Sequence, residues 1–419
     1  MGPDAVAIFL GAKPATRSND TEFRFRQDSD FWYLTGFGHP GAAAVLRTDG
    51  GPEFTLYVEP RDPAAEVWTG RRPGTEGALE EFGADEAYSN DRFQSHLGEI
   101  LARVKRVHHV LGRDADVDAR IVGTLNDMRL RSRQGLDPAD AICDPRAIVH
   151  EMRMRKQPGE LDIMRRAAAI TREAHEMAAR LARDGVYEYE LEAAIEYTFR
   201  RRGAAGPAYP TIVGGGRNAT ILHYVTNDER LRGGDLVLID AGCELEGYAS
   251  DVSRTFPVGG SLTGERRAVY ETVLLAQRAA LDLCKPGSTL ASVHDAAVRR
   301  IVEGLVEMKL LSGNVEDLIA NESHRRYYMH NTSHWLGLDV HDVGSYRVSG
   351  EVRSLEADMV FTVEPGLYIA DDDEAAAPGF RGIGVRIEDD VVVTADGHEN
   401  LTEAIPKAPA DIEALVSGS

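Results

Sequence analysis

A chain of 419 residues with 43% hydrophobic and 27% charged residues can bury a sizeable core and is long enough for two domains. Its net charge of −21 argues against nucleic acid as a partner, which wants a cationic surface, and no apolar run reaches membrane-spanning length. Met1 to Leu10 contains Asp4 and lacks the pattern of a secretory signal, and Cys143, Cys243 and Cys284 show no CxxC spacing, so a reduced, cytoplasmic setting is expected.

Strand-like runs at Ala43 to Leu46, Phe54 to Val58 and Arg106 to Leu111 alternate with Gly/Pro turns and a helical stretch, Phe93 to Arg103. This pattern predicts a small mixed α/β domain over residues 1–155. Cys143-Asp144-Pro145 begins a connector, and Pro158-Gly159-Glu160, after the basic run Arg153 to Lys156, reads as a helix start. The second domain, 156–419, opens with helices at Glu160 to Leu181 and Tyr189 to Arg202. Strands are expected at Thr211 to Val213 and Ile221 to Val225, followed by an apolar hairpin bearing Asp240 and Asp251. Helices at Glu265 to Cys284 and Leu290 to Leu311 come next, then acid-bearing strands at Asp358 to Ile369 and Gly382 to Thr394. Two helices followed by acidic strands, twice over, is the order of a duplicated half-domain in an α/β (α+β) fold. Gly214-Gly215-Gly216 lacks the residues that complete a phosphate loop and reads as a mobile loop, and the tail from Pro406 is polar and peripheral.

The chemistry lies in the acids. A turn at Leu245-Glu246-Gly247 sets Asp240 and Asp251 opposite one another on one face of the hairpin, which is destabilising unless a proton or a cation compensates. Glu364 and Glu388 sit among Val and Ile in their own strands, where an unpaired carboxylate is costly. Between the two acidic regions stand His330, His334 and His341. Four carboxylates and an imidazole match the ligand set of divalent ions and lean toward Mn²⁺ over Zn²⁺. Four negative charges also call for two such ions. Held about 3.5 Å apart, a pair can bridge a water, lower its pKa and polarise a carbonyl. Separate salt bridges would explain any one of these acids, but four beside a histidine-rich segment are poorly explained that way. Arg386, two residues before Glu388 in a strand, projects to the same face, where a cation orients ligand carboxylates. Cys243 reads as a small buried hydrophobe. Neither HExxH nor GxSxG occurs.

Leu238-Ile239-Asp240-Ala241-Gly242 through Asp251, with Arg254-Thr255-Phe256-Pro257, resembles the metal-binding hairpin of the pita-bread metallopeptidases. That family includes aminopeptidase P, prolidase, methionine aminopeptidase and creatinase. The segment His330 to Asp342, the strand Thr362 to Tyr368 and the N-terminal run Phe25 to Gly36 resemble aminopeptidase P most closely, and the resemblance covers nearly the whole chain. It implies a pita-bread catalytic domain with pseudo-twofold duplication. It also implies a dinuclear aminopeptidase that hydrolyses the N-terminal Xaa-Pro bond with a metal-bridging hydroxide as nucleophile. In those terms Asp240 and Asp251 chelate one ion and Asp251 bridges to the second. His334 and Glu364 bind the second ion, and Glu388 bridges both.

Glu364 is also the family's candidate proton shuttle. His223, His330 and His341 match positions lining the substrate site, where His330 or His341 could stabilise an oxyanion, and Tyr209 and Tyr368 are weaker supporting candidates. Trp68, in Val67 to Gly74, resembles a segment that reaches a neighbouring subunit's active site, which implies a homo-oligomer, dimer or tetramer. The cofactors implied are two divalent ions per subunit, Mn²⁺ first, with Zn²⁺ or Co²⁺ as alternatives, and the partners are peptides with proline second. Proline selectivity rests on the resemblance alone. The rivals are a prolidase acting on Xaa-Pro dipeptides with the same ligands and a metal-free interaction module on this scaffold, which would have lost ligands. Creatinase-like chemistry is more distant.

Overall fold

The computed structural model describes residues 1–418, which divide into two compact units, Met1–Met152 and a second starting at Arg153. The first is built on a six-stranded sheet in the spatial order Glu86–Ser89, Phe54–Val58, Ala43–Arg47, Ala5–Leu10, Arg106–His109, Ala141–Cys143. The central strand, Ala5–Leu10, is not among those expected from the sequence. Val6 and Ile8 pack into one core with Leu97, Ile121 and Leu125, while Ala7 and Phe9 pack into another with Phe31, Phe37 and Leu56. A strand covered on both faces has no polar alternation to betray it. A helix, Arg146–Met154, occupies the stretch where a connector was expected.

The second unit begins with the helix Pro158–Leu181, with proline in its first turn and the Gln157 N–H donating to Glu160 Oε2 at 2.7 Å. It packs against Glu188–Arg201, and Gly264–Leu281 packs likewise against Leu290–Glu307. Each helix pair precedes a set of short antiparallel strands. The first set is ordered Ile212–Gly215, Leu236–Asp240, Ser253–Pro257. In the second, Val360–Val363 pairs with Asp389–Val393, and Gly366–Ile369 with Ile383–Arg386. A single core joins the sets, with Val237, Ile239 and Phe256 beside Val363, Leu367, Val385 and Val391. The repeated order of helices and acidic strands is thus present.

Two local expectations are corrected. Leu245 pairs with Tyr248, so the turn is centred on Glu246 and Gly247, both at positive φ (51° and 88°), as a type I′ turn requires. Asp240 therefore pairs with Ser253, and Asp251 stands diagonal to it on the same face. The second correction is that Ile221 to Val225 forms no strand. The buried Asn227 side chain accepts the Val213 N–H at 3.0 Å and donates to the Thr211 carbonyl at 2.8 Å, taking backbone groups that a neighbouring strand would need.

The long acidic strands are also interrupted. Glu364 falls between Val360–Val363 and Gly366–Ile369, and Glu388 between Ile383–Arg386 and Asp389–Val393. Asp251 lies between Tyr248–Ala249 and Ser253–Pro257, and Asp240 ends its strand. All four carboxylates stand where a ladder stops. Behind the hairpin, fully buried His175 bonds the Ala241 carbonyl through Nε2 at 3.0 Å, and burial pushes it down to about 4, so the ring is neutral. The Cys243 N–H meets the Thr171 and Ser250 hydroxyls at 3.2 and 3.1 Å, which are themselves 2.6 Å apart. Cys243 is buried there as a free thiol.

Candidate active site

A cavity of about 680 Å³ in the second unit is lined by Asp240, Asp251, Glu364 and Glu388 together with His223, His330, His334, His341, Tyr209 and Arg386. Tyr368 stands behind this lining. Its hydroxyl is 2.9 Å from His330 Nε2 and accepts from Arg386 Nη1 at 2.9 Å. Trp68 is 87% exposed on the helix Pro63–Thr69 of the other unit and does not line the cavity.

The hairpin register brings its two acids onto one hydroxyl. Tyr209 Oη lies 2.7 Å from Asp240 Oδ1 and 2.5 Å from Asp251 Oδ1. It has one proton and can donate to only one of them. The Arg386 guanidinium donates to Asp240 Oδ2 at 2.6 Å and to Ser253 Oγ at 2.7 Å, and the Ser253 hydroxyl donates to Glu388 Oε2 at 2.8 Å. Glu388 Oε1 is buried without a partner. His334 holds the Trp335 carbonyl through Nδ1 at 3.0 Å, leaving Nε2 3.4 Å from Asp251 and 3.8 Å from Glu364. With Nδ1 on that carbonyl, Nε2 is the nitrogen turned toward the carboxylates, where it can hold a proton or, in its place, a metal ion. Asp251, His334 and Glu388 each bring one donor atom within 4.8 Å of the others.

Burial lifts Glu364 to about 7 against the pull of His334 and Arg386. Burial, reinforced by Asp251 and Glu364, lifts Glu388 well above the usual carboxylate range, and burial lifts Asp240 while Arg386 opposes. For His334, burial acts downward, but the hydrogen bond and charge of Asp251 outweigh it and raise the imidazole to about 9. These shifts share one cause: the cavity holds more carboxylate than one guanidinium can balance. A divalent cation would take the place of the His334 proton and satisfy Glu388 Oε1. The oxygen-rich donor set with one imidazole fits such an ion.

Residues 162–395 match the model of Metallopeptidase family M24, and residues 1–109 match that of the Aminopeptidase P N-terminal domain. The Xaa-Pro aminopeptidase of Escherichia coli is 46% identical over 420 residues, covering 99% of this chain and 94% of that protein. The chain belongs to metallopeptidase family M24, in its aminopeptidase P branch. Human Xaa-Pro aminopeptidase 3 is 36% identical across 99% of the chain and 82% of its own length. Among solved structures, the Pseudomonas aeruginosa aminopeptidase PepP has a TM-score of 0.97 at 46% identity, covering 100% of this chain and 95% of that one. The zinc-substituted E. coli aminopeptidase P in complex with product has a TM-score of 0.96 at 46% identity, with the same coverage. The second unit is accordingly an M24 pita-bread domain.

Side chains that sequence reasoning missed also hold this M24 site. Ser253 links Arg386 to Glu388, and both oxygens of Asp390 accept the Asp251 N–H, at 3.3 and 3.1 Å. Thr332 bonds His294 and Tyr328. Each lies two positions from a candidate ligand or substrate-site histidine, a strand-period signal available for Ser253 and Asp390.

Proposed function

We propose that this M24 member is a dinuclear, metal-dependent aminopeptidase that hydrolyses the N-terminal Xaa-Pro bond of peptides. The observation that carries the reading is the convergence of Asp240, Asp251, His334, Glu364 and Glu388 on one cavity, with Glu388 Oε1 unpartnered. Asp240 and Asp251 would hold one ion, His334 and Glu364 the other, with Asp251 and Glu388 shared. When bound, two divalent ions, Mn²⁺ by preference, lower the pKa of a shared water and polarise the scissile carbonyl. The named relatives, Xaa-Pro aminopeptidases of E. coli and human, support the specificity for proline at the second position.

The remaining steps belong to the chain's own residues. Glu364, near pH 7 in its protonation, accepts a proton from the attacking water and returns it to the departing proline nitrogen. His330 has both nitrogens engaged, Nδ1 with the Asn331 carbonyl at 2.8 Å and Nε2 with Tyr368, and so anchors the wall. His341, held neutral by burial, and His223 are the donors free to meet the developing oxyanion. Arg386 opposes the burial that lifts Asp240 and orients its carboxylate, and Tyr209 fixes the spacing of the two aspartates. The 81% and 87% exposure of Val67 and Trp68 supports a homo-oligomer in which this helix meets a neighbouring subunit.

Purified, Mn²⁺-loaded protein should release the first residue of Xaa-Pro-Yaa peptides and prefer them to Xaa-Pro dipeptides. Failure to release that residue from a folded, metal-loaded sample would overturn the assignment. Preference for dipeptides would make it a prolidase.

A further inference from the structure

The segment carrying His330 and His334 has no regular secondary structure, yet it must hold two imidazoles against carboxylates on separate strands. Midway between them is Thr332, fully buried. Its hydroxyl lies 2.8 Å from His294 Nδ1 on the helix Leu290–Glu307 and 2.6 Å from the Tyr328 hydroxyl. A threonine hydroxyl can accept one hydrogen bond and donate another, and its two neighbours here, His294 Nδ1 and the Tyr328 hydroxyl, use both capacities, one on each side. The Thr332 carbonyl accepts the Glu364 N–H at 2.8 Å. Tyr328 in turn packs its ring edge-on to His330, with centroids 4.9 Å apart and planes at 84°.

We propose that Thr332 is a positioning residue that fixes the spacing of His330, His334 and Glu364, with His294 and Tyr328 as its anchors. One residue joins a helix outside the cavity, through its side chain, to the strand break that presents Glu364, through its backbone. The inference rests on the metallo-aminopeptidase reading of the site. It concerns a residue that touches neither substrate nor ion. Without the hydroxyl, the backbone bond to Glu364 remains, but the segment loses its ties to His294 and Tyr328, and the histidines and Glu364 are held less firmly relative to the helix behind them. Outer groups of this kind influence both metal affinity and turnover.

The test compares Thr332→Val, which keeps the shape, with Thr332→Ser, which keeps the hydroxyl. Tyr328→Phe serves as a milder variant should the valine protein fold poorly. Steady-state cleavage of an Xaa-Pro-Yaa tripeptide and calorimetric titration with MnCl₂ are read alongside melting temperature. Thr332→Val should lower kcat and weaken Mn²⁺ binding, each about tenfold, with KM changed by less than about twofold. Thr332→Ser should restore both. Thr332→Val combined with Tyr328→Phe should be no worse than Thr332→Val alone, because both break one network. Wild-type kcat and Mn²⁺ affinity in Thr332→Val would overturn the proposal, as would equal losses in valine and serine variants. A wild-type protein that binds Mn²⁺ but does not cleave the peptide would defeat the aminopeptidase reading alone, and the Mn²⁺ titrations would still decide the role of Thr332.

Discussion

In the proposed mechanism Glu364 combines two demands that usually conflict. A metal ligand must give up its proton readily, whereas a proton shuttle must take one back near the working pH. Burial raises this carboxyl to about 7, while His334 and Arg386 keep it from going higher. Its oxygens face different partners, Oε1 toward His334 at 3.8 Å and Oε2 toward His330 at 3.7 Å, so one can serve the ion while the other serves the water. Glu364→Gln preserves the shape and removes the proton acceptor. Turnover of an Xaa-Pro peptide should fall by about 10²–10⁴-fold, with no loss of melting temperature in the metal-free protein, since one repelling buried charge disappears. Kinetics and a thermal melt on the same sample decide it. Full activity in the glutamine variant would remove Glu364 from proton transfer.

At the scale of elements, the site depends on strands that stop. Gly242 shows why such a stop needs a particular residue: a Cβ there would run into the Ser250 carbonyl oxygen, which belongs to the opposite arm of the hairpin. Gly242→Ala must push the arms apart beside Asp251, at a cost of about 3 kcal/mol or more. Denaturant melts should register that loss, and Mn²⁺ binding should weaken with it. A variant of wild-type stability would show that the arms can separate freely. The four carboxylates were legible in the sequence because charge in an apolar run is conspicuous, and Arg386 was legible from its spacing to Glu388. The turn register was not, since it depends on whether Glu246 accepts a positive φ. Nor was the unpaired state of Ile221 to Val225 legible. That run has a strand's composition, and only the fold brings the Asn227 side chain to Val213 and Thr211. Thr332 was hidden for a similar reason, because its partners lie 38 and 4 residues away and the spacing marks no face.

For the whole molecule, the acidic excess expressed in a net charge of −21 has its most consequential share inside the second unit. Folding without metal raises Glu364 from its ordinary 4.5 to about 7 and His334 from 6.5 to about 9. Each folded group therefore holds its proton more tightly than the unfolded chain does. The stability contributed is fully present below pH 4.5 for Glu364 and below 6.5 for His334, and it is lost as pH rises through about 7 and about 9 respectively. A rise of this size in one buried group is worth on the order of 3 kcal/mol. Metal reverses the slope, because ions bind the deprotonated ligands and compete with protons. Chelator-stripped protein should accordingly melt at progressively lower temperature between about pH 6 and 9, while Mn²⁺-saturated protein holds steady or gains. The gap between the two melting curves should widen with pH and close toward acid, where protons occupy the ligands. Scanning calorimetry of paired samples across that range measures it directly. Parallel curves with a constant gap would mean that the ions bind without displacing protons, and the raised carboxyl and imidazole would then lie outside the metal site.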